Sequence, residues 1–341
     1  MVQKRNWKRQ IAGLSVASMI AITLASCSSG SQGNTAADAS DSSAPKTTRI
    51  AFVAAQMHST YFEVMKCGAK AAAAENNVDL DWQGDPDWAL QTQLPLIQAA
   101  VQSKPDGLVL VPTDPKALVN TVEGIMKDGI PVITVDGSLD QPVDVQNIRT
   151  DNIDAGTQAA KQLAESIGGS GTVLVVASQP GITANQERIT GFAKVMKDDY
   201  KDITVLPIAY AGDDQSTASQ LVDAAITGNS DLKGIYTTLA PASNGAAAAV
   251  QASGKQGAIK IVAYDADPVQ ITNLNKGIFS ALVAQDPYGL GYDSVTRLAK
   301  AAAGNLDLKS LKHQEYVNAL IITTDNVTTK DALQHIYDPQ C

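Results

Sequence analysis

The chain has 341 residues, with 26 Lys and Arg against 35 Asp and Glu and a formal net charge of −9. So acidic a chain is a poor partner for nucleic acid, whose phosphates call for Lys and Arg. It holds three histidines and three cysteines, with no HExxH, no GxSxG and no zinc-spaced cysteine set, so catalysis, metal and cofactor have no motif to start from.

The N-terminus reads as a signal of residues 1–26. MVQKRNWKRQ carries Lys4, Arg5, Lys8 and Arg9 and no acidic residue, and Ile11 to Ala25 is uncharged and mostly apolar. That run is shorter than the roughly 20 residues a helix needs to span a bilayer. Leu24-Ala25-Ser26-Cys27 resembles the lipobox of bacterial lipoproteins, which implies a lipid on Cys27 that anchors the chain to the cell membrane from outside the cytoplasm. An ordinary cleaved signal with an incidental cysteine is the alternative. Removing residues 1–26 takes four of the 26 basic groups and leaves a net charge of −13. Residues 27–46 are mostly Ser, Gly, Ala, Asn, Asp and Gln, too poor in apolar surface to fold, and read as a tether. No later stretch is apolar enough for a second span, so the membrane is met through the lipid alone. Cys67 and Cys341 then lie outside the cytoplasm, where they either pair or stay as two thiols.

About 290 residues remain, more than one core usually serves, so two lobes are expected. Apolar runs mark strands at 49–55, 78–82, 107–111 and 130–135, then at 172–178, 203–210, 234–239, 259–264 and 279–285. Amphipathic stretches between or after them predict helices near 61–75, 88–102, 116–127, 186–197, 218–227 and 288–303. The strands are continuous Val/Ile/Leu runs, which suits parallel sheets buried on both faces. GGSGT at 168–172 precedes its strand, whereas a phosphate-cradling loop follows one, so it reads as a turn. The fold class is α/β: two doubly wound parallel-sheet lobes.

In such sheets ligands bind beyond the carboxyl ends of the strands. Gln56, His58, Ser59, Tyr61 and Phe62 follow the first strand, Asp136 follows IPVITV, Asp265 follows IKIVAY, and FSALVAQ ends in Gln285. Arg188 lies near the start of the helix after TVLVVAS. Each has a plainer reading: Asp265 as a helix cap, Tyr61 and Phe62 as the core face of a helix.

RIAFVAAQMHSTYFEVMKCGAK, GLVLVPTDPKALVNTVEGIMKDGIPVITVD, NIRTDNIDAGTQAAKQLAE, ITANQERITGFAKVMK and VAYDADPVQITNLNKGIFSALVAQDPYGLGY resemble the ribose-binding type of periplasmic sugar-binding proteins, the substrate-binding components of ABC importers. The resemblance runs from about Thr47 to about Thr323. It implies the type I periplasmic binding protein fold, with a three-stranded hinge crossed near Thr150–Asp151, Gln285–Asp286 and Tyr316–Val317. The N-terminal lobe is then 47–150 with 286–316, the C-terminal lobe 151–285 with 317–323, and 324–341 a tail. It further implies a monomer that closes on a monosaccharide, polyol or cyclitol and delivers it to a permease. In this family Ser59 would be a polar contact, Tyr61 and Phe62 an aromatic pair on sugar C–H faces, and Asp136, Arg188, Asp265 and Gln285 the hydroxyl-binding groups.

Three positions depart from the family pattern. Gly137 stands where many relatives have Arg, Leu239 where an Asn is frequent, and Asp213 where an aromatic is common. Ribose itself is therefore not the default ligand, and His58, Gln56 or Asp213 are candidates to supply the missing contacts. A receptor lipoprotein that presents a small molecule to a membrane sensor would read the same way. A DNA-binding relative would need a helix-turn-helix where this chain has its signal and tether.

Overall fold

The structure is a computed structural model that describes residues 47–86 and 88–341; the signal, Cys27 and the tether lie outside the described residues. The chain begins with β1 (Thr48–Ala54), α1 (Thr60–Glu75), β2 (Val78–Gly84), α2 (Leu90–Gln102), β3 (Gly107–Leu110), α3 (Val119–Lys127), β4 (Val132–Val135) and β5 (Gln146–Thr150). It continues with α4 (Asn152–Ser166), β6 (Gly171–Ala177), α5 (Thr183–Asp199), β7 (Ile203–Val205), β8 (Ala209–Tyr210), α6 (Gln215–Gly228), β9 (Leu232–Thr237), α7 (Ala240–Ala252), β10 (Lys260–Tyr264), α8 (Pro268–Asn275) and β11 (Ala281–Ala284). The last elements are α9 (Pro287–Ala302), β12 (Gln314–Val317), β13 (Leu320–Ile322) and α10 (Lys330–His335).

These strands form two sheets, ordered β12-β5-β4-β3-β1-β2 and β13-β11-β10-β9-β6-β7, with β8 also on β6. Both orders reverse at their first strand in sequence, β1 and β6, as in doubly wound sheets. All pairs are parallel except β11 with β13. The central strands are apolar on both faces because helices cover both; Ile50 through Ala55 have no exposed surface at all. Helix α9 returns to the first sheet's side and packs on α1, while α4 packs on α5 and α6 on α7.

The chain passes between the sheets after β5, after β11 and between β12 and β13. The third passage runs through Asn318 and Ala319, later than Tyr316–Val317, because Val317 still pairs with Thr150 in the first sheet. The run 203–210 is two short strands instead of one. Pro207 lies between them and has no N–H to donate to a ladder. Cys67 and Cys341 are joined as a disulfide with Cα atoms 5.4 Å apart, inside the usual range for such a bond. Among the described residues no helix is long and apolar enough to cross a membrane, and no group of three or more His, Cys, Asp or Glu could hold a metal.

Candidate functional site

The carboxyl ends of the two sheets face a common cavity of about 570 Å³, a size typical of small-molecule sites. Gln56, His58, Ser59, Tyr61, Phe62 and Asp136 line it from the first sheet's side, and Arg188, Asp213, Leu239, Asp265 and Gln285 from the second. His58 and Asp213 are exposed at the rim, whereas Arg188, Asp265 and Gln285 are buried. Ser59 stands at the N-cap of α1 but its side chain makes no cap bond.

Arg188 organises the second side. Its Nε donates to Asn152 Oδ1 at 2.8 Å, Nη1 to Thr238 O at 2.7 Å and Nη2 to Gln285 Oε1 at 3.2 Å. The guanidinium lies 3.7 Å from the centre of the Tyr264 ring. Burial works against its charge, but Tyr264, Asp265, Tyr236 and Asp136 outweigh burial and hold it protonated beyond the ordinary arginine range. Gln285 Oε1 also accepts from Thr150 Oγ1 at 2.9 Å, while Gln285 Nε2 donates to Asp265 Oδ1 at 2.9 Å.

Asp136 and Asp265 occupy matching positions in the two sheets. Each follows the third strand in the order of its sheet, β4 or β10, and each donates its N–H to the neighbouring strand, to Ile148 O at 3.0 Å and Val283 O at 2.9 Å. Both have left-handed backbones, φ +63° and +78°, a region that aspartate tolerates better than most residues. Such outliers concentrate where a side chain must be aimed at a ligand. Asp265 is no cap for α8, which Asp267 caps with a full capping box. It accepts instead from Ala240 N at 3.1 Å, at the start of α7.

On the first side Tyr61 donates to Asp136 Oδ1 at 2.8 Å. Burial pushes the Asp136 carboxyl above its ordinary value of 3.8, against the pull of the Tyr61 bond and the Arg188 charge. A ligand hydroxyl donates more strongly to this group while it is ionised than once it is protonated. Affinity should therefore fall on acidification earlier than an ordinary carboxylate would cause. Asp136→Asn should flatten that limb and weaken binding at neutral pH roughly 10- to 100-fold, the worth of one charge-assisted hydrogen bond. Titration calorimetry across pH 4–8 measures both. The ligand-free protein carries the opposite sign: this group adds stability as pH falls through its raised folded value, because protonation removes a buried charge.

Three residues entered the site without a sequence signal strong enough to select them. Trp88 continues an aromatic wall, with centroids 5.9 Å from Phe62, which is 5.1 Å from Tyr61; it sits just past the end of β2 and would have been found by treating every strand end alike. Asn185, in the first turn of α5, accepts from Thr238 Oγ1 and lines the cavity. Tyr337 comes from the tail after α10. The three departures are in place as well. A Cβ on Gly137 would stand 2.9 Å from Pro112 O, so a larger residue there requires the backbone to move. Leu239 is half-buried against the core beneath α7. Asp213 accepts from Ser178 Oγ at 2.7 Å, a polar pair where an aromatic would offer a stacking face.

Two lobes with a polar, aromatic-walled cavity at their facing strand ends define a ligand-capturing protein. Residues 50–306 match the family described as periplasmic binding protein domain, and the chain belongs to that family. Its members are substrate-binding components of transport and not enzymes. Ribose import binding protein RbsB of Bacillus subtilis (strain 168) is 26% identical over 283 residues, 82% of this chain and 88% of its own length. The xylitol-binding protein of Mycolicibacterium smegmatis is 27% identical over 174 residues, 51% of this chain and 49% of its own. Among solved structures, an ABC transporter solute binding protein from Agrobacterium vitis, bound with alpha-D-tagatopyranose, matches with a TM-score of 0.79 at 30% identity, covering 85% of this chain and 99% of its own. The chain thus has the type I fold of periplasmic binding proteins and is similar to sugar-binding proteins of the ribose-binding type.

Proposed function

We propose that this protein captures a monosaccharide or polyol between its two lobes and delivers it to an ABC transporter permease. It works as a single chain outside the cytoplasm, held at the membrane by a lipid on Cys27. The observation that carries the reading is the convergence of Asp136, Arg188, Asp265 and Gln285 in one cavity walled by Tyr61, Phe62 and Trp88. Carboxylates accept from ring hydroxyls, the guanidinium and amide donate to them, and aromatic faces cover the C–H surface. Relatives named for ribose import, for xylitol and with a bound ketohexose support the same class of cargo. The departures at Gly137, Asp213 and Leu239 favour a ligand other than ribose. Hinge closure of the lobes would couple capture to presentation, since a ligand shifts that equilibrium only through its higher affinity for the closed state.

A thermal-shift screen against D-ribose, D-tagatose, D-allose, D-fucose, xylitol and inositols tests this. A ligand at about a hundred times its Kd adds roughly 2.7 kcal/mol of stability, enough for a visible shift. A shift with one of these names the cargo. Amino acids and other small non-sugar metabolites are screened alongside, and a shift with these alone would remove the sugar class.

A further inference from the structure

The segment after β13 ties the two sides of the cavity together. Tyr337 is 1% exposed, and its N–H donates to Ala266 O at 3.0 Å, on the second side. Its hydroxyl donates to Asp265 Oδ1 at 3.1 Å and accepts from Gln285 N at 3.3 Å. Its ring lines the cavity and stands edge-on to Tyr61 of the first side, with centroids 5.8 Å apart. Four residues further on, Cys341 is bonded to Cys67 of α1, the helix whose first turn carries Tyr61 and Phe62.

We propose that Tyr337 is a specificity-determining residue of the sugar site and that the Cys67–Cys341 disulfide holds it there; this rests on the sugar-capture reading above. The hydroxyl decides what Asp265 can offer. Oδ1 already accepts from Gln285 Nε2 and from Tyr337, and Oδ2 accepts from Ala240 N. A carboxylate has about four acceptor positions, so a sugar hydroxyl meets Asp265 on what remains of Oδ2. Freed of Tyr337, Oδ1 would take a second hydroxyl, and a different arrangement of hydroxyls would fit. The ring adds the wall between Tyr61 and the Asp265–Gln285 pair, fixing how deep a ring substituent can reach.

The disulfide supplies the hold. Four residues span at most about 14 Å, so Tyr337 stays near α1 in every hinge state. When the lobes part, either the leash limits the opening or the tyrosine lets go of Asp265. Both outcomes bind its position to the occupancy of the cleft. Without the disulfide, the tyrosine's own bonds and the packing of Ala332 and Ile336 on the core are left to oppose the entropy of a free chain end.

The test titrates the purified wild type, Tyr337→Phe, Tyr337→Leu and the double variant Cys67→Ala/Cys341→Ser with D-tagatose, D-ribose, D-allose and xylitol by calorimetry. Hydrogen exchange of residues 330–341 is followed on the ligand-free proteins alongside. The expected result is a loss of about 10-fold for the tightest probe in Tyr337→Phe, with a changed ranking among the probes. Tyr337→Leu loses more, Phe restoring the part that belongs to the ring. The double variant shows the same change of ranking, and its Tyr337 amide exchanges faster while the strands keep wild-type protection. Equal affinities and an unchanged ranking in Tyr337→Phe and Tyr337→Leu would overturn the recognition role. Unchanged exchange at Tyr337 in the double variant would overturn the role of the disulfide. If the wild type binds none of the probes, the sugar reading falls and the specificity claim with it, while the exchange result still decides whether the disulfide holds the tyrosine.

Discussion

Arg188→Ala is expected to weaken sugar binding by at least about 100-fold and to destabilise the ligand-free protein as well. A guanidinium has five N–H donors, and three directions are taken by Asn152, Thr238 O and Gln285. Arg188 lines the cavity with two donors left over, and losing two charge-assisted bonds to a ligand, each worth about 1.5–3 kcal/mol, gives the loss of affinity. The loss of stability follows from burial: the side chain is 6% exposed and is the positive charge that acts on both Asp136 and Asp265. Removing one partner of a buried charge cluster costs about 3–5 kcal/mol. Arg188→Lys keeps the charge but cannot bond in three directions at once, so it should recover part of the stability and little of the affinity. Urea denaturation and calorimetry on the same samples measure the two effects. Wild-type affinity in Arg188→Ala would move the site elsewhere.

Gly156→Ala should also damage both stability and binding, although Gly156 touches no ligand. Helices α4 and α5 cross with their backbones in contact. A Cβ on Gly156 would lie 2.0 Å from Arg188 O, and one on Gly191 would lie 2.0 Å from Ile153 O. No rotamer change relieves a clash with backbone, so the helices must move apart, at a cost of about 3 kcal/mol. The displaced atom belongs to Arg188, whose Nε is bonded to Asn152 in the first turn of the same α4. Separating the helices therefore pulls the guanidinium from its place, with an expected loss in affinity of about 10-fold or more. Gly124→Ala in α3 is the matched control. Its Cβ would meet nothing within 4 Å, so it should be neutral or stabilise by about 0.5–1 kcal/mol. If Gly156→Ala unfolds at the same urea concentration as wild type, the helix contact is not limiting.

Most of the fold is legible in the sequence because most of its strands are apolar runs buried on both faces. The exceptions share a cause. β5 is QNIRT, yet it is wholly buried. Gln146 meets Arg297 and Glu315, Asn147 meets Thr134 and Gly137 O, Arg149 meets Glu187, and Thr150 meets Gln285. Buried polar groups of this kind, paired here except for Asn147 Oδ1 and Arg149 Nε, leave no trace in a hydrophobic pattern, and their partners are distant in sequence. α4 and α7 are rich in Ala and Gly, which hides a buried face from a search for large apolar residues. The strand-end rule located the cavity, and the residues it selected all line it. Tyr337 follows no strand and stands in a polar tail, so only the pairing of Cys67 with Cys341 points toward it.

The strand order has a consequence for how the chain reaches its native state. β5 stays an open edge until β12 arrives, since Asn147 pairs with Gln314, and α1 stays uncovered until α9 returns to pack on it. The first sheet is therefore finished only after every strand of the second except β13 has been laid down. Contacts across that much sequence carry a high loop-closure entropy and make the domain a slow, late-committing folder. A chain that delays commitment in this way remains threadable through a narrow pore for longer than one whose lobes are contiguous. It also binds the fate of the lobes together: damage to β12 leaves an unpaired edge in one sheet and withdraws the support on which the other is hung.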